Sequence, residues 1–403
     1  MTVVEQRQPT KAREVTNNIP FVRTKLSPEA LTAATRVLES GWLTTGPEVQ
    51  LFEAEFAAWV GADYAVATSS CTAAIELGLR ALRLPRGSRV LVSTITFCGA
   101  VHAIIHAGYQ PVLVDVDPVT VMPSVRTVRD AVDRPGHIDA MLVVHLAGAP
   151  ANVDELADAA GLDRDRIVED AAHALGTRCG TKRVGSGEST TCFSFYATKN
   201  LPIGEGGMVT TNNADVAERI RRMRLHGMST DAWRRYLPGG SWRYTVETSG
   251  LKANMTDVQA SIGRAQLRHL ADWQRRRREI AARYDRSLAG VPGIALPQRP
   301  RDGGHAWHLY AVRVLPLCPD DHSGIRRDRI ADELARRGIG TSVHFIPLHT
   351  MPFFMRSTLP PDPSFVGAEA AYAQLLSLPM HPNLTDEEVD VVSETLGALL
   401  VQN

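Results

Sequence analysis

The sequence contains few cysteines, and their arrangement excludes a disulfide framework. Five cysteines are scattered at positions 71, 98, 179, 192 and 318 of 403 residues, an odd number without a C-x-x-C pair. Secreted proteins that depend on disulfides usually carry an even and dense set instead. We therefore expect a protein of the reducing cytoplasm. The thirteen histidines show no zinc-type spacing, so we also expect no metal site.

Two further absences restrict the possible partners. The first twenty residues are polar and lack the apolar core of a signal peptide, and no apolar run approaches the length that crosses a bilayer. Lysine plus arginine and aspartate plus glutamate both number 44, so the formal net charge is zero. A neutral chain lacks the basic footprint of a nucleic-acid-binding protein. We expect neither a membrane nor a nucleic-acid partner.

The loop motifs of three common enzyme classes are also missing. No G-x-G-x-x-G follows a strand, and neither G-x-x-x-x-G-K-[ST] nor G-x-S-x-G occurs. The first two motifs bind the phosphates of nucleotides, and the third carries the nucleophile of α/β-hydrolases. The segment GSGEST (185–190) resembles a phosphate loop only in composition, and we interpret it as a turn.

Short apolar runs alternate with helical segments in the first half of the chain. Strand-like runs at 64–67, 89–95, 110–118 and 140–148 are separated by amphipathic or apolar segments of helical length. This alternation predicts an α/β fold in which a parallel sheet has helices on both faces.

A long amphipathic helix is predicted over 251–284, with Thr256 and Gln259 as a capping box at its start. We place a domain boundary inside this helix, since 403 residues suffice for two domains. The remainder mixes helices with strands in HLYAVRVLP and GTSVHFIP, which predicts a small α+β domain. The predicted division is a polar arm (1–20), a large domain (21–265) and a small domain (266–403).

The stretch from Ile167 to Met208 places one charged residue after each of two strand-like runs. Asp170 ends the first run, and Lys199 follows the second. In open α/β sheets, ligands bind beyond the carboxyl ends of the strands. Pyridoxal phosphate needs a lysine for its Schiff base and a carboxylate beside its pyridine nitrogen. A surface salt bridge is the ordinary alternative, but the Ser, Thr, Asn and Gly residues around Lys199 favour a cofactor site.

Other residues at predicted strand ends could face the same cleft. Phe97 could stack on a pyridine ring, although core packing is the commoner role of a single Phe. The small-residue turn 68–72 precedes a helix and offers free backbone amides to an anion, although such turns also occur with nothing bound. His145 is equally compatible with a buried structural histidine and with a cleft residue.

Several segments together match one enzyme family. They are EDAAHALGT (169–177), SFYATKN with GEGGMV (194–209), and GLKANMTDVQASIGRAQL (250–267), supported by ITFCGAVHAIIHAGYQPVLVDVDP and HFIPLH. On these segments the chain resembles the DegT/DnrJ/StrS sugar aminotransferases, which are fold-type I pyridoxal-phosphate enzymes. The resemblance implies a large domain with a mostly parallel seven-stranded sheet between helices, followed by a smaller α+β C-terminal domain.

The resemblance also implies roles for individual residues. Lys199 would form the Schiff base with pyridoxal 5'-phosphate and then shuttle a proton, while Asp170 would hold the proton of the pyridine nitrogen. His173 would lie near the 3-hydroxyl, and Phe97 would stack on the ring. The phosphate would be held by Ser70, Cys71, Thr72 and Ser194. Asn254 would reach it from the other subunit of a homodimer with shared active sites.

The chain departs from the family pattern at Cys71, where relatives carry Gly or Ala, and at Ala147 and Ala149, where they carry bulkier or polar residues. The last two differences bear on the sugar pocket. Candidate residues on the substrate side are Trp42, Lys252, His344 and His349, each of which could equally have a structural role.

The segment GLKANMTD resembles enzymes that aminate C4 of a nucleotide-linked 4-keto-6-deoxyhexose. The expected reaction therefore moves an amino group from glutamate, or glutamine, to this keto sugar. Amination at C3, or of a keto-cyclitol, is an alternative that the sequence leaves open. A cofactor-binding regulator would need an output module, for which the chain has no spare segment. A dehydratase of this family would have His in place of Lys199.

Overall fold

The computed structural model describes residues 18–229, 239, 242–300, 304–318, 323–357 and 365–402. Its strands are β1 (Tyr64–Thr68), β2 (Arg89–Ser93), β3 (Gln110–Val114), β4 (Ala140–Val144), β5 (Ile167–Asp170), β6 (Arg178–Cys179), β7 (Lys182–Arg183), β8 (Thr190–Ser194), β9 (Gly207–Thr211), β10 (Ile294–Ala295), β11 (Tyr310–Val314) and β12 (Leu375–Leu378).

The α-helices of the same residues are α1 (Pro28–Ser40), α2 (Pro47–Val60), α3 (Cys71–Ala81), α4 (Cys98–His106), α5 (Val125–Val132), α6 (Val153–Ala160), α7 (Ala214–Met223), α8 (Asp257–Leu267), α9 (Leu270–Leu288), α10 (Ile325–Arg336), α11 (Pro352–Ser357), α12 (Val366–Gln374) and α13 (Asp386–Gln402). Among them, no helix combines the length and the apolar composition needed to span a bilayer.

The large sheet is mostly parallel, and its seven strands within the described residues confirm the predicted fold class. Its order is β1-β9-β8-β5-β4-β2-β3, in which only β9 runs antiparallel to its neighbours. Alternate residues of one strand enter opposite cores: Val66 packs into one cluster, and Ala65 and Ala67 into another. This two-sided burial explains why the strands are continuous apolar runs in the sequence.

A second core surrounds a smaller antiparallel sheet of β10, β11 and β12. Helices α9, α10 and α13 bury apolar residues in it, and its largest side chains are Tyr284, Trp307 and Tyr310. Ile19, near the end of the predicted arm, is buried here and pairs with Ile339. Residues 1–17 lie outside the described residues. The domain boundary at 265/266 stays a prediction.

The predicted helix over 251–284 is wrong as one element. It forms α8 and α9, separated at Arg268 and His269. The predicted capping box is present, because the Thr256 hydroxyl accepts from the Gln259 amide and the Gln259 side chain accepts from the Thr256 amide. The helices pack on different partners, α8 on α1 and α2, and α9 on α13. Because neither Gly nor Pro marks the break, tertiary packing determines it.

The predicted strand in GTSVHFIP is also wrong. Only Ser342 pairs with the small sheet, through Ser377. Beyond Ser342 the segment leaves the sheet, and His344 and Phe345 enter the wall of a cavity. The segment 231–250, in which Pro238, Gly239 and Gly240 predict a loop, lies partly outside the described residues.

Thr256→Ala tests the start of α8. The change removes a hydroxyl that lies 3.2 Å from the Gln259 amide nitrogen, and loss of such a cap costs about 1 kcal/mol. We expect the free energy of unfolding to fall by this amount in chemical denaturation. Thr256→Ser keeps the hydroxyl and should retain most of the stability. Equal stability of the two variants would contradict a role for the cap.

Candidate active site

A cavity of about 590 Å³ opens beyond the carboxyl ends of the parallel strands. Asp170 is the last residue of β5, Lys199 lies in the loop after β8, and Phe97 directly precedes α4. The residues of the sequence prediction that line it are Ser70, Cys71, Thr72, Phe97, Asp170, His173, Ser194, Lys199 and His344. The fold therefore brings together side chains from five separate parts of the chain.

The turn between β1 and α3 lines the cavity and could offer backbone amides to an anion. Ser70 caps α3, and its hydroxyl accepts from the Ala73 amide at 3.1 Å. Within the described residues, no hydrogen bond occupies the amides of Cys71 and Thr72. These amides and the helix dipole suit a phosphate.

The glycine at the start of β9 allows this turn to approach the sheet. A Cβ atom at Gly207 would lie 2.5 Å from the carbonyl carbon and oxygen of Ser70. Any side chain there would displace the turn. The third glycine of the GEGGMV segment is therefore required by a close backbone approach.

Asp170 and Lys199 are buried charged groups whose environments oppose each other. Burial raises the pKa of Asp170, while the Ala172 amide, at 3.0 Å from Oδ1, and the charge of Lys199 act to lower it. Burial lowers the pKa of Lys199 to about 8, although attraction to Asp170 acts in the other direction. An amine with this pKa is partly neutral near neutral pH, and only the neutral amine is a nucleophile or a base.

The hydrogen bonds of His173 determine which ring nitrogen carries its proton. Nδ1 accepts from the Ala147 amide at 3.2 Å, so the proton of the neutral ring lies on Nε2. Burial holds the pKa of His173 well below its usual range, and the charge of Lys199 adds to this effect. His173 is therefore a neutral hydrogen-bond donor at the cavity.

His145 is a buried histidine with both nitrogens occupied, although it also borders the cavity. Nδ1 accepts from the Ala151 amide at 3.0 Å, so Nε2 donates to the Glu169 carboxylate at 2.7 Å. Both ring nitrogens of His145 are therefore hydrogen-bonded within the protein. Of the two roles that the sequence leaves open, this pairing favours the buried structural histidine.

Phe97 is exposed toward the cavity rather than packed in the core. Its side chain is 59% exposed, and its ring centroid lies 6.1 Å from that of Phe345. A large aromatic side chain left uncovered in a cavity is available for stacking on a planar ligand.

Four predicted site residues do not line this cavity. Three of them gather around Thr45: its hydroxyl accepts from Asn254 Nδ2 at 2.7 Å, and its carbonyl accepts from Trp42 Nε1 at 3.3 Å. Lys252 Nζ donates to Asn254 Oδ1 at 2.5 Å. In one copy of the chain, Trp42, Lys252 and Asn254 therefore form a group of their own.

His349 is the fourth residue outside the cavity. Its Nδ1 lies 2.8 Å from the Thr94 hydroxyl, and its ring stacks on Phe365 with a centroid distance of 4.3 Å. These contacts are typical of a structural histidine.

His308 and Phe345 are among the residues of the cavity wall that the sequence prediction did not name as site residues. In the structure, His305 stacks on Trp307 at 3.8 Å and His308 faces the cavity. The described residues contain no group of three or more His, Cys, Asp or Glu side chains that could hold a metal ion. The sequence carries no signal for His308, because it lies two residues before β11 of the small sheet and not at a strand end of the large sheet.

The pKa of Lys199 can be measured from the pH dependence of its chemical labelling. In the apoprotein we expect the rate of arylation at Lys199 to rise about tenfold per pH unit below pH 8 and to level off above it, because only the neutral amine reacts. Peptide mass spectrometry gives the rate, with Lys25 as an internal reference. A midpoint above pH 10 would contradict the burial of this amine.

Comparison with known proteins agrees with this geometry. The model of the DegT/DnrJ/EryC1/StrS aminotransferase family matches residues 24–397. The chain is similar to the spore coat polysaccharide biosynthesis protein SpsC of Bacillus subtilis (strain 168), at 42% identity over 379 residues, which are 94% of this chain and 96% of SpsC.

Two solved structures extend the comparison. The PLP form of the putative sugar aminotransferase Spr1654 from Streptococcus pneumoniae has a TM-score of 0.86 at 30% identity and covers 96% of this chain and 99% of its own. The aminotransferase TlmJ from Streptoalloteichus hindustanus has a TM-score of 0.84 at 32% identity and covers 96% of this chain and 100% of its own.

The residues at the cavity fit the cofactor of this family. The unoccupied amides of α3 suit its phosphate, Asp170 suits its ring nitrogen, and Lys199 is a buried reactive amine. The chain belongs to the DegT/DnrJ/EryC1/StrS aminotransferase family and is a sugar aminotransferase that depends on pyridoxal phosphate.

Proposed function

We propose that the chain aminates C4 of a nucleotide-linked 4-keto-6-deoxyhexose, with glutamate or glutamine as the amino donor. The observation that carries this proposal is the segment GLKANMTD (250–257), which resembles that of C4-aminating enzymes. The name of SpsC, a spore coat polysaccharide biosynthesis protein, supports a product that enters a glycan of the cell surface. A role in secondary metabolism is the alternative context. We place the reaction in the cytoplasm.

The side chains of the cavity would divide the work of this reaction. Bound pyridoxal phosphate supplies an electron sink for a carbanion next to the transferred nitrogen. Lys199 would take a proton from the substrate carbon on Nζ and later return one, which requires the neutral amine that its burial favours. The Asp170 carboxylate would hold the proton of the ring nitrogen. His173 would donate from Nε2 to the 3-oxygen, in agreement with its tautomer.

The phosphate and the ring face would be fixed by the remaining predicted residues. The turn residues Ser70, Cys71 and Thr72, together with Ser194, would bind the phosphate oxygens, and Phe97 would stack on the ring. These contacts would fix the cofactor at both ends and hold it near Lys199. Such positioning is a major part of enzymatic rate enhancement.

Small residues next to the site support the alternative acceptors. Ala147, Ala149 and His344 border an adjoining cavity of about 230 Å³. Alanine at positions 147 and 149 leaves space that a bulkier side chain would fill. A C3-keto sugar or a keto-cyclitol is therefore the second candidate acceptor.

We further propose that the active enzyme is a homodimer with shared sites. Asn254, Lys252 and Trp42 do not line the cavity of their own chain. Residues of this group would reach the phosphate and the sugar nucleotide of the partner subunit, with His344 contributing from the same chain as Lys199. His349 is hydrogen-bonded to Thr94 and does not line the cavity, so its contribution to substrate binding would be indirect.

An acceptor screen tests the substrate. Purified enzyme loaded with cofactor is incubated with ¹⁵N-glutamate and, in separate reactions, a 4-keto sugar nucleotide, its 3-keto isomer and a keto-cyclitol. We expect ¹⁵N in the 4-amino product at a rate at least tenfold above the other two, measured by mass spectrometry. Lys199→Ala should abolish this transfer and the visible absorption of the bound cofactor. Faster labelling of the 3-keto isomer or of the cyclitol would contradict C4 amination.

Complementation tests the sharing of sites. Lys199→Ala and Asn254→Ala are each expected to lower activity, the second through weak cofactor retention. A mixed dimer would contain one intact site, so co-expression should restore about a quarter of the wild-type activity for random pairing. Mixing the separately purified, non-exchanging homodimers is the control. If co-expression gives only the average of the two parents, Asn254 serves its own subunit.

A further inference from the structure

The adjoining cavity of about 230 Å³ shares Leu309 and His344 with the active-site cavity. Most of the side chains that line it are apolar. Two arginines, Arg299 and Arg313, also line it, whereas no Asp or Glu of the described residues does. The adjoining cavity therefore combines an apolar wall with positive charge.

His305 supplies a hydrogen-bond donor to this cavity. It is only 5% exposed, and its Nδ1 accepts from the backbone amide of Trp307 at 2.8 Å. Burial lowers the pKa of His305 to about 3, and the charge of Arg299 acts in the same direction. The ring is therefore neutral, and its proton lies on Nε2.

The Nε2 atom of His305 is left without an acceptor. In the described part of the chain it makes no hydrogen bond, and it is not enclosed by protein atoms, unlike both ring nitrogens of His381. Because His305 lines the adjoining cavity, this donor is available to a ligand there. A buried donor that stays unpaired is costly, so an acceptor at this point would stabilise the site.

Arg313 brings a charge without a carboxylate partner to the same cavity. Alternate residues of β11 point to opposite sides, so that Ala311 and Arg313 line the cavity while their neighbours enter the second core. Its Nη1 donates to Gln374 Oε1 at 3.3 Å, and no described residue forms an ion pair with it. Burial lowers the pKa of Arg313, although attraction to Asp117 acts in the other direction.

The remaining basic side chains of the cavity are neutral or already paired. Arg299 forms an ion pair with Asp285 and lies 5.1 Å from the centroid of the Trp307 ring. Burial lowers the pKa of His344 to about 4, so its ring is uncharged near neutral pH. Of the cations in this wall, Arg313 alone lacks a carboxylate partner within the described residues.

These groups and the apolar wall select the chemistry of the ligand. A carboxylate offers only acceptors, which match the proton of His305 Nε2 and the donors of Arg313. Both side chains line one small cavity, so one short ligand can reach both. A phosphate is polar on every side and suits the apolar wall less well than a carboxylate on a short carbon chain.

We propose that the adjoining cavity is a binding site for a small carboxylate, held by His305 Nε2 and the guanidinium of Arg313. Two sources share this chemistry: the side-chain carboxylate of the amino donor, or of its oxo product, and a free carboxylate that binds beside the active site. A carboxylate in this position occupies the space that the second candidate acceptor would need. The site does not depend on which sugar carbon is aminated.

Glutarate and its neutral diamide, glutaramide, test the site in enzyme loaded with pyridoxal phosphate. Neither compound carries an amine or a ketone that reacts with the cofactor. We expect glutarate to bind at least about tenfold more tightly than glutaramide in calorimetry, because only the carboxylate pairs with Arg313. Equal affinities, or no binding of glutarate, would overturn the proposal.

Two variants of His305 separate its donor from its packing. His305→Asn keeps an acceptor near Nδ1 for the Trp307 amide but lacks the donor at Nε2, and the Kd of glutarate should rise about tenfold. His305→Gln places an amide nitrogen near Nε2, and the Kd should stay within about threefold of the wild type. Equal losses in the two variants would overturn the proposal, since stacking on Trp307 would then be the only role of the ring.

Arg313→Gln removes the charge and should also raise the Kd of glutarate about tenfold. Arg329→Gln is the matched control, because Arg329 is an exposed residue of α10 that does not line the cavity. Equal effects of the two changes would contradict a specific site. If Arg313→Gln does not fold, Arg313→Lys, which keeps the charge, and the His305 variants decide by the same titration.

Amino-transfer kinetics distinguish the two sources of the carboxylate. Competitive inhibition by glutarate against glutamate, with a raised KM for glutamate but not for glutamine in Arg313→Gln, assigns the site to the amino donor. Inhibition or activation that is not competitive, with an unchanged KM, assigns it to a free carboxylate. A failed acceptor screen with the expected binding of glutarate would overturn the proposed substrate and leave this site standing.

Discussion

The opposition between burial and mutual attraction at Lys199 and Asp170 is the constraint on which the site depends. Burial favours a neutral amine and a neutral carboxyl group, whereas each charge favours the other. The two side chains can balance in this way because β5 and β8 are neighbouring parallel strands whose carboxyl ends meet at one edge of the sheet. A surface ion pair would be screened by water and would leave the lysine fully protonated.

The rest of the cavity supplies fixed dipoles rather than additional charges. The amides of α3 and the Nε2 proton of His173 each present a defined donor. Their orientation comes from backbone or amide groups that are themselves hydrogen-bonded. Dipoles held in this way need no rearrangement when charge moves during a reaction, which is the basis of electrostatic preorganisation.

The sequence was most informative where a feature depends on neighbouring residues. Thr256 and Gln259 form their capping box, and Asp170 and Lys199 follow buried runs that any parallel sheet would align. The break between α8 and α9 could not be predicted, because both halves keep an amphipathic pattern and only their packing partners differ. The strand predicted over 340–347 failed for a related reason, since Phe345 lines a cavity instead of joining a sheet.

The site itself was predictable only in part. The residues that follow strands of the large sheet could be placed from strand order alone. His308 could not, because its position depends on how the second core meets the first. Trp42, Lys252 and Asn254 lie outside the cavity of their own chain, which the order of the strands did not predict.

The walls of the cavity come from both cores of the molecule. Phe21 and Val22 follow Ile19, which is buried in the second core, and Met380 belongs to that core as well. Asp170 and Lys199 stand on the large sheet. A rotation of one core against the other would therefore change the shape of the cavity while Asp170 and Lys199 keep their places on the large sheet. It would also change the burial of Lys199, so the width of the cavity and the protonation of the amine are linked.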